Sequence, residues 1–105
     1  MVKVLNNVTH KLQTSETDIY VATVKSMTIL IQVVNPTSQD VDKCNIWVTD
    51  SSNTHAACLL PSTTIVAYNG TSDTSTHIIP AGYKIRGSAD VADIAVVEIT
   101  IVEGV

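Results

Sequence analysis

Phenylalanine is missing from this sequence, and its aromatic side chains are Trp47, Tyr20, Tyr68 and Tyr83 alone. A core must therefore be filled mainly by aliphatic branches. Valine, isoleucine and threonine are abundant, and these side chains suit a pleated, half-buried strand better than a helix. Arginine occurs once, as Arg86, in a chain of net charge -4. That leaves no basic footprint able to neutralise a phosphate backbone, so no direct nucleic-acid partner is expected. No apolar run approaches the roughly twenty residues of a membrane-spanning helix, and the first residues lack the apolar centre of a signal peptide. No membrane association is expected, and synthesis in the cytosol is. The two cysteines, Cys44 and Cys58, form no CxxC knuckle or disulfide scaffold, and both are expected to be buried free thiols. Gly70, Gly82, Gly87 and Gly104 stand apart from one another, which excludes a glycine-rich phosphate loop.

What is present is two-residue alternation, repeated along the chain and punctuated by turn residues at short spacing. The spacing predicts strands at 18–24, 27–34, 44–49, 56–60, 63–68, 77–79, 83–87 and 94–102, with a further short one at 2–5. Asn35-Pro36-Thr37-Ser38 ends one of them, because proline has no amide to donate. Asp50-Ser51-Ser52-Asn53 favours a turn through side chains that bond their own backbone, and Asn69-Gly70 tolerates positive φ. Ile79-Pro80-Ala81-Gly82-Tyr83 predicts a hairpin with proline at the second turn position. The pattern is that of an all-β protein, an antiparallel β-sandwich of jelly-roll or immunoglobulin-like type with about seven to nine strands. At 105 residues the chain fits one domain, at 17–105, preceded by residues 1–16 as an N-terminal arm or an edge strand.

Neighbouring strand residues face opposite sides. Parity places Ile29, Ile31, Val33, Ile46, Val48, Tyr83, Ile85, Val97, Ile99 and Ile101 in the core. It makes Lys84 and Arg86 a solvated stripe. Asn45, Trp47 and Thr49 share the face opposite Ile46 and Val48, so Trp47 is a candidate contact anchor unless an N-terminal arm or second layer covers it. Val2, Val4 and Leu5 are the corresponding candidates in the arm, where a partner's strand edge would supply contacts the segment lacks by itself.

His10, His55 and His77 show no zinc-ligand spacing, and the order of acids from Asp40 to Asp50 is not that of a calcium loop. Asp90 and Asp93 bracket Val91-Ala92 as turn formers. Asn7-Val-Thr9 and Asn69-Gly-Thr71 match the glycosylation triplet by chance in a threonine-rich chain. No nucleophile, base and orienter set is visible, so no enzymatic activity, cofactor or metal is expected.

Four pieces in order carry a resemblance: Thr28-Ile-Leu-Ile-Gln-Val-Val-Asn-Pro, Ile46-Trp-Val-Thr-Asp-Ser, Ile78-Ile-Pro-Ala-Gly82, and Gly87-Ser-Ala-Asp-Val-Ala-Asp-Ile-Ala-Val-Val-Glu-Ile-Thr100. Across 17–102 the chain resembles small virion proteins of tailed bacteriophages, of the head-decoration, head-fibre or tail-associated kind. The resemblance implies a structural subunit of the virion, assembled in the host cytoplasm as a homo-oligomer. Its expected partners are the major capsid protein or other virion proteins. A capsid decoration, or cement, protein bridging capsid subunits fits first. The alternative is a tail-fibre, neck or baseplate-associated module that binds a host receptor or glycan.

Overall fold

The computed structural model describes residues 3–105, so Val2 lies outside the described residues. The elements are β1 (Val4–Lys11), β2 (Thr17–Val21), β3 (Ser26–Val34), β4 (Val41–Thr49), β5 (His55–Ile65), β6 (Gly70–Asp73), β7 (His77–Ile79), β8 (Lys84–Ser88) and β9 (Val96–Glu103). They form two antiparallel sheets packed as a sandwich. One runs β1-β9-β3-β6 with β7 also on β3, and the other runs β2-β8-β4-β5. The path is that of one long hairpin rolled up: β4 pairs β5, β3 pairs β6 and β7, β2 pairs β8, and β1 pairs β9. Of the two expected types, this is the jelly roll. The core between the sheets is aliphatic, with Leu12, Ile46, Ile79, Ile85, Ile99 and Ile101 among its largest fully buried side chains.

Parity locates most of this core, and it fails where the ladder slips. The register of β3 against β9 shifts between Thr28 and Leu30, leaving Ile29 as the extra residue of a β-bulge. Before the bulge the even positions Ser26 and Thr28 are buried, and after it the odd positions Ile31 and Val33 are. Ile29 is consequently half-buried instead of in the core. Tyr83 is half-buried and packs against the core from its rim.

Pairing corrects two other expectations and adds one strand. The two strands expected at 56–60 and 63–68 are one, β5, with Pro61 inside it. Proline is tolerated there because β5 is an edge strand and the ladder slips between Cys44 and Ile46. β6, which has almost no apolar content to betray it, is held by β3. The turn after Ile79 does not make a hairpin. Tyr83 N donates to Pro80 O at 3.0 Å, so proline is the first turn residue, and Gly82 takes φ 86. The turn carries the chain from β7 in one sheet to β8 in the other.

Residues 4–11 lie at the edge of their own sheet, with eight consecutive pairs to β9 from Val4↔Glu103 to Lys11↔Val96. Leu12 then turns inward and is fully buried. A polar cluster closes the sandwich at this side: Tyr20 OH donates to Glu103 Oε2 at 2.6 Å and lies 3.1 Å from Ser26 Oγ. Burial, and then the bond to Glu103, push the Tyr20 phenol above its ordinary pKa.

Candidate functional site

The outer face of the β2-β8-β4-β5 sheet carries the largest concentration of interacting polar side chains. One register row crosses all four strands as Asp18, Arg86, Trp47 and Cys58. Trp47 is half-buried in this row, and its indole Nε1 donates to Asn45 Oδ1 at 3.1 Å. Asn45 in turn donates to Ser88 Oγ at 3.1 Å and to the Lys43 carbonyl at 2.9 Å. The hairpin turn after β4 brings His55 back beside the tryptophan, because Asp50 Oδ1 accepts from Ser52 N at 2.8 Å and Thr54 N at 3.0 Å. The His55 and Trp47 rings then stack with centroids 4.1 Å apart and planes 11° from parallel.

Charge on this face is matched pair by pair. Glu16 Oε1 accepts from His55 Nε2 at 2.6 Å, and Glu16 Oε2 pairs with Arg86 Nη1 at 3.0 Å. Arg86 Nε reaches Asp18 Oδ1 at 2.7 Å, and Arg86 Nη2 donates to the Glu16 carbonyl at 3.0 Å. Lys84 Nζ donates to Asn53 Oδ1 at 3.0 Å and lies 3.7 Å from Asp18 Oδ2. Lys84 and Arg86 are therefore not a solvated stripe: their side chains are only 20% and 16% exposed. The guanidinium fork is held by Asp18 and by the side chain and carbonyl of Glu16, which fixes a charge-paired platform beside Trp47.

Asn45 and Thr49 both stand on the Trp47 side of β4, Thr49 opposite Lys84 in β8 and His55 in β5. Thr49 is fully buried, and its Oγ1 donates to the Asp50 carbonyl at 3.1 Å. The slip of the β4–β5 ladder between Val48 and Thr49 leaves its extra residue, Ala56, in β5. Val4 and Leu5 lie on the edge strand β1, away from this platform, and are 50% and 64% exposed. Cys44 is buried as expected, but Cys58 is exposed, because its register partner Trp47 places it on the outer face. Burial, reinforced by Asp90 and Asp42, pushes the Cys44 thiol up to about 11.

Sequence reasoning missed His55, Glu16 and Asp18 as neighbours of Trp47. The turn at Asp50 signals a hairpin and hence the approach of His55, whereas Glu16 and Asp18 arrive through β2, which no local pattern ties to β4. Asn35 does more than end its strand. It is fully buried, donating to the carbonyls of Gln39 at 2.6 Å and Ile65 at 3.0 Å while Oδ1 accepts from Thr37 N at 3.0 Å and Thr37 Oγ1 at 2.8 Å. It ties the β3–β4 connection to the end of β5. Among the described residues, no group of three or more His, Cys, Asp and Glu side chains is arranged to hold a metal ion.

No family model matches the chain, and no curated protein matches it. Among solved structures it is similar to a chain of the T13 IBDV viral particle, with TM-score 0.51 and 9% identity over 96% of this chain. The match takes in 31% of that chain, so the present protein spans about a third of its length. At this identity the likeness is one of fold.

Proposed function

We propose that the chain is a non-enzymatic structural subunit of a virion, present in many copies, and that it decorates and cements the capsid of a tailed bacteriophage. The observation that carries the reading is the jelly-roll topology, whose likeness to part of a viral-particle chain extends over 96% of the protein. The sequence pieces in β3, β4, the turn after β7 and β9 point towards tailed-phage virion proteins independently of that fold. A cement protein works by bridging adjacent capsid subunits, so that modest contacts per copy are multiplied by the symmetry of the shell. Its partners in this reading are the major capsid protein and further copies of itself, assembled on the particle in the host cytoplasm.

The test is to count this chain against the major capsid protein in purified particles by quantitative mass spectrometry. Copy numbers comparable to those of the capsid subunit are expected. A few copies per particle would place it in the neck or tail, and its absence from particles would overturn the structural role.

A second reading, a tail-associated module that binds a host receptor or glycan, draws on the half-buried Trp47 beside Asn45 on a polar face. Thr49 on the same side is fully buried and offers a ligand no exposed surface, and one face of the indole is already occupied by His55. Binding on a glycan array that disappears in Trp47→Ala would favour it over decoration.

A further inference from the structure

A jelly roll leaves four strand edges open, and here three of them are blunted. β2 has five residues and a register slip after Asp18. β5 carries Pro61 and repeated slips against β4. The remaining edge is split into β6 and β7 by Thr74, Ser75 and Thr76. Bulges, prolines and short or broken strands are the means by which proteins stop edges from pairing with other chains. β1 has none of them: its eight residues pair with β9 without a slip and contain no proline or glycine. Among the described residues, nothing bonds to the backbone of residues 4–10 on the side away from β9.

The face behind this edge is also distinctive. Leu5, Val102, Met27 and Ile78 occupy one register row across β1, β9, β3 and β7 on the outer side of the sheet, with Leu5 64% and Ile78 51% exposed. The row ends at the open edge.

We propose that β1 pairs antiparallel with β1 of a second copy of the chain about a two-fold axis, joining two β1-β9-β3 sheets into one. The sequence of the strand is complementary to itself. Between Lys3 and Lys11 it carries no acid and no base other than His10. A register centred on Asn6 sets Val4 against the partner's Val8 on the inner side and Leu5 against the partner's Asn7 on the outer side. No like charges then oppose each other, whereas a register centred on Asn7 would set Lys3 against the partner's Lys11. With Asn6 at the centre, Leu5 and the partner's Leu5 become diagonal neighbours, and the two apolar rows meet across the axis. Such a pair is isologous and closes on itself, so it does not propagate into fibres. The added ladder satisfies backbone groups, and alternate side chains fix the register. The inference deepens the multi-copy reading above and rests on it only for its setting.

The experiment measures mass by light scattering across a dilution series, together with hydrogen exchange. The expected mass is twice 11.2 kDa, falling to the monomer on dilution. Alternate amides between Val4 and His10 lose protection together with the dimer. Leu5→Lys, at an exposed position that leaves the core intact, abolishes the dimer, while Ile78→Lys at the far end of the same row leaves it. A monomer at the highest soluble concentration overturns the proposal, as does a dimer that survives Leu5→Lys or is lost in Ile78→Lys. A chain that is monomeric in solution yet abundant in particles would overturn this pairing and keep the structural-subunit reading. A dimer absent from particles would do the reverse.

Discussion

Gly87→Ala tests the packing of the second sheet at its most crowded point. Gly87 lies in β8 between β2 and β4, and its α-carbon faces the core. A β-carbon added there would lie 2.6 Å from the Asn45 carbonyl oxygen, 3.1 Å from Leu12 Cδ2 and 3.2 Å from Ile19 Cδ1. The two methyl groups can rotate away, but the carbonyl belongs to a central strand and can move only with its ladder. Backbone entropy alone argues for stabilisation, because glycine within a strand costs about 0.5 to 1 kcal/mol relative to alanine. Overpacking argues the other way, by about 1 to 3 kcal/mol, and a backbone clash belongs at the upper end of that range. The net expectation is a loss of about 2 kcal/mol, equivalent to a fall in melting temperature of roughly 8 to 16 °C for a domain of this size. Calorimetry, with urea unfolding to check an unchanged slope, measures it. Gly70→Ala is the control: its β-carbon would lie 2.9 Å from the Val33 carbonyl, but β6 is an edge strand that can shift outward, so a smaller loss is expected. A Gly87→Ala protein as stable as the wild type, or more so, would refute the close approach of β8 and β4.

Asn35→Ala should cost about 3 kcal/mol in urea unfolding, because it strands buried backbone groups that its amide now satisfies, and an exposed turn asparagine would give almost nothing. Under native conditions a thiol reagent should modify Cys58 rapidly and Cys44 only on unfolding; equal rates would contradict the burial of Cys44. Because the Cys44 pKa is raised from 9.0 to about 11, its contribution to stability is complete below pH 9.0 and is lost as pH rises through about 11. Cys44→Ala should therefore flatten that part of the alkaline stability profile.

The alternation of apolar residues located most strands, because a half-buried sheet must repeat every two residues. It failed where pairing, not side chains, sets the structure. Ile29 lost its core place to a bulge that no local pattern announces, and Thr49 is fully buried although it stands on the Trp47 side of β4 between His55 and Lys84. β6 was invisible because Gly70-Thr71-Ser72-Asp73 becomes a strand only through its partner β3. Trp47 was legible as an outward aromatic, but its surroundings were not. Glu16 and Arg86 are 70 positions apart, and only the rolled topology makes them neighbours.

That topology also governs the order in which the protein can be made. β9 lies between β1 and β3 in the first sheet, and β8 lies between β2 and β4 in the second. Until these late strands have been synthesised, each sheet lacks an inner member, and the strands on either side have nothing to hold them together. Only the β4–β5 hairpin and the pairing of β3 with β6 and β7 can form beforehand, so chain closure is a late event with costly loop entropy. β1 has no other neighbour in its sheet, so its edge is fixed only when β9 docks against it. Any partner that recognises that edge is thereby restricted to molecules in which β9 has docked.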